Sequence, residues 1–202
     1  MIEPFPSVGR IYEEVARQHG ILDLNPEILN RQFAEAWRRK KDFGYSLSDW
    51  SDLVDLTFAG LTEVLPSKSF FQNLYERFAA AEVWRIYDDV KPALEILRDR
   101  GIRLGVISNW DERLRPLLRE LGLSHYFETI TISIEAGFRK PSPEIFRRAA
   151  SELDLPVSNI LHVGDGAVED VEGARQAGMK SFLVSRQGSS STGLSSLTEA
   201  SL

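Results

Sequence analysis

Apolar residues follow two different periods along this 202-residue chain. Between residue 7 and about residue 83 they recur every three to four positions, the spacing of one buried helix face, and no stretch there reads convincingly as a strand. In SVGRIYEEVARQHG the set is Val8, Ile11, Tyr12, Val15 and Ala16, with Gly20 as the stop. NPEILNRQFAEAWRR opens with Asn25 as N-cap and Pro26 at the first helical position, and stacks Ile28, Leu29, Phe33, Ala36 and Trp37. Ser48 is the expected cap of a third helix carrying Trp50, Leu53, Val54 and Phe58. Phe70, Phe71, Leu74 and Phe78 mark a fourth. Residues 1–84 are therefore expected to form a helical bundle.

From about residue 86 short apolar runs alternate with helical stretches. Strands are expected at 102–108, 129–133, 159–165 and 180–185, and helices at 90–100, 111–121, 143–153 and 168–178. Strands that are apolar on both faces and separated by helices build a parallel sheet covered by those helices, so 85–187 reads as an α/β core. Residues 188–202 are rich in Ser and Gly and read as a mobile tail.

Ligands of open parallel sheets bind at the C-terminal ends of the strands, which directs attention to the residues that follow each one. Ser108 and Asn109 follow IRLGVI; a hydroxyl there, beside the N–H groups of a helix start, can hold a phosphoryl oxygen. Lys140, in a loop stiffened by Pro141 and Pro143, can neutralise a phosphate. Asp165 follows ILHVG and Asp170 lies five residues on; two carboxylates at a strand end can hold a hard cation such as Mg²⁺. Taken singly, these are also what an N-cap, a solvated loop lysine and an Asp–Gly turn look like. Their order is more specific than any one of them.

Strand–Ser-Asn, then Lys-Pro-x-Pro opening a helix, then strand–Gly-Asp–x₄–Asp resembles the haloacid dehalogenase (HAD) superfamily in its phosphatase-like branch. VISNWD matches its second motif, RKPSPEIF its third and HVGDGAVEDVEGARQAGM its fourth, and the likeness spans essentially the whole chain. SVGRIYEEVARQHG, SNWDERL and EAGFRKPSPEIF are similar to the HAD-like hydrolase domain-containing protein 3 group. The resemblance implies a Rossmann-like α/β core with an α-helical cap, the cap being residues 1–84. It implies a hydrolase acting with Mg²⁺ on a small phosphorylated metabolite. Ser108 and Asn109 would hold the phosphoryl group, Lys140 would stabilise its charge, and Asp165 with Asp170 would hold the metal.

The first motif of that superfamily, Asp-x-Asp-Gly-Thr, supplies the nucleophilic aspartate and the general acid/base, and it does not occur in these residues. Asp23, Asp88, Asp89 and Asp111 sit in the wrong context to replace it. Met1–Ile2 stands about where the end of that motif would be, and Pro4 and Pro6 bar MIEPFP from acting as a central strand. The expectations are a truncated product or misplaced start or, alternatively, a non-catalytic phosphate-binding or regulatory relative. On either, the 202 residues should not turn over phosphate esters, and the sheet should carry exposed edges open to self-association. Dehalogenation of 2-haloacids needs the same missing aspartate but no metal, and the Asp165–Asp170 pair leans against it.

Composition narrows this further. A net charge of −6 argues against a nucleic-acid partner, and RRKK at 38–41 reads as a solvated helix face. No run approaches the ~18–20 apolar residues of a membrane span. With no cysteine and no basic-then-apolar leader, a cytoplasmic location is expected. His162, inside an apolar strand, reads as a buried, hydrogen-bonded residue; Trp110 is the aromatic best placed to reach an active-site cleft.

Overall fold

The computed structural model describes residues 1–40, 42–186 and 194–201. The chain divides into two compact units, Met1–Ile86 and Tyr87–Leu202.

The first unit packs α1 (Val8–Gln18), α2 (Pro26–Arg39), α3 (Leu47–Phe58) and α4 (Phe71–Arg77). Local chemistry sets the helix starts. The Ser7 hydroxyl accepts the Arg10 N–H, and the Asn25 side chain accepts those of Glu27 and Ile28. The cap of α3 is Ser46, not Ser48. Its hydroxyl accepts the Asp49 N–H at 3.1 Å while the Asp49 carboxylate returns to the Ser46 N–H, a reciprocal capping box that Ser48 cannot form. Tyr12, Leu29, Phe58, Phe70 and Leu74 are all buried in one cluster, with Tyr12 stacked on Phe58 at 5.6 Å between ring centroids. In the basic run, Arg38 and Arg39 are exposed as expected, but Lys40 donates to the Asp49 carbonyl and lies over the Phe43 ring; Lys41 lies outside the described residues.

The helical pattern did not announce a short ribbon that closes this unit. β1 (Ile2–Pro4) pairs antiparallel with β2 (Trp84–Ile86), matching Ile2 to Ile86 and Pro4 to Trp84. Glu3 and Arg85, opposite one another, form an ion pair.

The second unit is the α/β one. β3 (Gly105–Ser108) pairs in parallel with β4 (Thr129–Ile132), and β5 (Leu161–Gly164) with β6 (Lys180–Leu183). α5 (Val90–Asp99) precedes β3, and between the strands in sequence run α6 (Leu114–Glu120), α7 (Ser133–Ala136), α8 (Pro143–Glu152) and α9 (Gly173–Ala177). Ile145, Phe146, Ala150, Ala174 and Met179 form its packed layer, with Ile107 of β3 and Ile160 against it. The parallel sheet is in two pieces. Among the described residues β3 has only β4 as partner and β5 only β6. Strands buried on both faces are the rule in parallel sheets, yet Leu161 of β5 is 41% exposed and Phe182 of β6 is 49% exposed.

The strands are shorter than the apolar runs that announced them, because only four residues of each run find a ladder partner. The helix expected over 168–178 starts as a wide turn, Ala167–Glu172, in which the Asp170 and Val171 N–H groups share the Gly166 carbonyl. In the Ser/Gly-rich segment, 188–193 lies outside the described residues. Leu194 bridges Val184, and the Leu197 N–H and Arg186 both bind the Asp89 carboxylate, so the part after 193 is anchored to α5 rather than loose.

Candidate active site

The site assembles at the C-terminal ends of β3 and β5. Ser108 is the last residue of β3, half-buried, and its hydroxyl has no hydrogen-bond partner among the described residues. The next turn is pinned from the end of β4. The Ser133 hydroxyl accepts the Trp110 N–H and donates to the Trp110 carbonyl, both at 3.0 Å. Asp111 follows, fully buried, with both carboxylate oxygens taken by Arg113.

Asn109 is committed to the loop that carries Lys140. Its Oδ1 accepts the Lys140 N–H at 2.7 Å, and its Nδ2 donates to the Lys140 carbonyl at 3.0 Å. A side-chain amide bonded both ways to one residue's backbone fixes that residue as a strand partner would. Asn109 therefore places Lys140, and only its remaining N–H groups are left for a ligand.

From that loop the Lys140 Nζ reaches Asp170 Oδ1 at 2.5 Å. The same oxygen lies 2.9 Å from His162 Nε2, and Oδ2 accepts the Gly166 N–H at 2.9 Å. Asp170 is buried and the other two side chains nearly so. Burial pushes the Asp170 carboxyl up. The His162 hydrogen bond and the Lys140 ammonium outweigh that and hold it well below the usual carboxylate range. Asp170 is thus an acceptor at neutral pH, and the shared proton with His162 sits on Nε2.

Two glycines make this approach possible. A Cβ on Gly164 would stand 2.2 Å from the Asp170 Cγ, and one on Gly173 would stand 2.8 Å from both Phe146 and the Pro141 carbonyl. Only a bare backbone lets the turn fold down onto the end of β5 and against the Lys140 loop.

Of the residues assigned to magnesium, Asp165 is exposed at the end of β5 with no partner among the described residues, whereas the oxygens of Asp170 already accept three protein donors. Among the described residues no group of three or more His, Asp or Glu side chains stands ready to grip a cation. Mg²⁺ asks for near-octahedral oxygen coordination, so these residues alone do not complete its site. The structure brings Asn109, Lys140 and Asp170 into one network. It sets Ser108 at the end of β3 and Asp165 just after β5 without bonding them to it.

Sequence reasoning missed the partner of His162 and the clamp by Asn109. A histidine in an apolar strand two residues before Gly-Asp signals a buried acceptor nearby, but not which one.

A two-unit chain with parallel strands, Ser-Asn after one, a lysine held by an aspartate after another, and a Gly-Asp turn defines a hydrolase of the HAD fold. Comparison with known proteins agrees. The haloacid dehalogenase-like hydrolase family matches over residues 8–178, and the chain belongs to it. The chain is 36% identical over 188 residues to the human (Homo sapiens) haloacid dehalogenase-like hydrolase domain-containing protein 3, covering 88% of this chain and 74% of that one. It is 36% identical over 106 residues to glyceraldehyde 3-phosphate phosphatase of Methanopyrus kandleri, covering 50% of this chain and 43% of the other. The crystal structure of a HAD phosphatase from Thermococcus onnurineus superposes with a TM-score of 0.67 at 24% identity, covering 96% of this chain and 86% of that one. Among the described residues no helix is long and apolar enough to cross a membrane.

Proposed function

We propose that this protein is a phosphatase-type HAD hydrolase whose substrate is a small cytoplasmic phosphate ester. The observation that carries the reading is the Lys140 ammonium, fixed by Asn109 and Asp170 near the C-terminal end of the strands. A buried, hydrogen-bonded ammonium is a fixed positive charge where a phosphoryl group would gain one as it reacts. The Ser108 hydroxyl, unoccupied at the end of β3, is the second phosphoryl contact. The phosphatase named among the relatives supports the substrate class.

Attack on phosphorus needs a carboxylate nucleophile, and these 202 residues hold no Asp-x-Asp-Gly-Thr. Asp111 and Asp89 are not free to serve, since arginines hold both carboxylates. The 202-residue polypeptide therefore binds phosphate and does not hydrolyse its esters. Magnesium belongs to the reading only as an ion that the exposed Asp165 carboxylate would help to hold. The same binding without turnover is what a regulatory relative would do.

The test pairs two measurements on the purified chain. Calorimetric titration with inorganic phosphate should show binding that weakens about tenfold or more in Lys140→Ala, the loss of one charge-assisted contact. Incubation with p-nitrophenyl phosphate and Mg²⁺ should release no nitrophenol. Binding that ignores Lys140 removes the phosphate reading, and Lys140-dependent hydrolysis removes the claim of inactivity.

A further inference from the structure

His162 has no part in the proposed chemistry, yet it is nearly buried and points its Nε2 at the oxygen that holds the site lysine. Its ring packs edge-on against Phe146 at 5.1 Å between centroids, which fixes the plane of the imidazole. Phe146 is fully buried, so the ring has little room to turn. The hydrogen bond therefore has a set direction, from a rigid strand into the Asp170 carboxylate.

We propose that His162 is a positioning residue for Lys140, acting through Asp170: it splits the acceptor capacity of Oδ1, so that the ammonium is held in place without being fully captured. This rests on the phosphate-site reading above. Two donors, Lys140 Nζ at 2.5 Å and His162 Nε2 at 2.9 Å, converge on Oδ1, while Oδ2 is turned away by the Gly166 N–H. With the imidazole removed, Oδ1 faces the ammonium alone. The ion pair then tightens on one side, the carboxylate loses one of its three anchors, and Lys140 is a poorer partner for an incoming anion. An ammonium has three donors and needs at least one pointing away from Asp170 to meet phosphate.

The experiment compares His162→Phe, which keeps an aromatic ring against Phe146 but loses the donor, with His162→Gln, whose amide N–H reaches a similar position. In the full 202-residue chain, inorganic phosphate should bind about tenfold more weakly to the Phe variant, and the Gln variant should recover most of that loss. A second reading needs no phosphate. In the wild type, long-range ¹H–¹⁵N spectra should show His162 protonated at Nε2 with Nδ1 bare. The Lys140 ammonium should give a slowly exchanging cross-peak that keeps its position in the Gln variant and shifts in the Phe variant, where the ion pair tightens. Wild-type affinity in His162→Phe, an Nδ1–H tautomer, or an unchanged Lys140 signal overturns the proposal. Should the wild type bind no phosphate at all, the phosphate reading falls, and the Lys140 and His162 signals alone decide whether the positioning holds.

Discussion

The two units bury different things. In Met1–Ile86 the buried interior is aliphatic and aromatic, and Thr57 is its only fully buried polar side chain among the described residues, satisfied by the Leu53 carbonyl within its own helix. In Tyr87–Leu202 the interior also holds Asp111, Thr131, Ser133, Asp170 and Ser181. Burying a charge costs free energy unless it is paired and hydrogen-bonded. The α/β unit meets that cost with Arg113 at Asp111, and with Lys140, His162 and Gly166 at Asp170. A bundle made only to be stable has no need of such groups. Two of them, Asp111 and Asp170, follow β3 and β5 closely, and these buried charges are the ones that the proposed phosphate site would draw on.

That contrast can be broken experimentally. Phe58→Ala empties a fully buried position in the helical unit and should destabilise the protein by about 3–5 kcal/mol in urea unfolding. Phosphate affinity of the folded protein should stay at the wild-type value; a parallel drop in affinity would mean that the division of labour is wrong. Asp170→Leu leaves the Lys140 ammonium nearly buried and unpaired. It should lose about 3 kcal/mol, toward the low end for a broken buried pair, and should lose phosphate binding as well. Ser46→Ala removes half of the capping box of α3, and about 1 kcal/mol with it, again with no effect on phosphate.

The smallest effect expected is on pH dependence. Burial pushes the Asp89 carboxyl up, and the Leu197 N–H and Arg186 outweigh it, so the folded value lies below the unfolded one. Such a group adds stability above its unfolded value of about 4 and loses it as pH falls through the folded value. Urea midpoints measured from pH 7 down to pH 3 should therefore fall more steeply for the wild type than for Asp89→Asn. Equal slopes would show that the anchoring of residues 194–201 does not depend on this charge.

Much of this was legible in the residues. Asn25 and Pro26 began α2 where the pattern put them, Pro143 began α8, and the four apolar runs after residue 100 each became a strand. The HAD motifs identified the family and the α/β architecture. What was not legible was who touches whom. Ser46 displaced Ser48 as a cap because Asp49 lies three residues from one and next to the other. MIEPFP looked unfit for a central strand and is none, yet Ile2–Pro4 still pairs across some eighty residues of chain with Trp84–Ile86.

By itself the sequence determined the main helices, the four parallel strands, the start of α2, the family, and the charges available at the strand ends. These follow from periodicity and from hydrogen bonds that span four residues or fewer, so neighbours along the chain are enough to specify them. The tertiary structure alone decided that Asn109 would hold the backbone of Lys140, and that Asp170 would face Lys140 and His162. It alone decided that the parallel strands would stand as two pairs. Each of those outcomes joins groups eight to thirty-one residues apart. Such contacts exist only after packing has offset the entropy of closing the chain between them, and no local propensity encodes that balance.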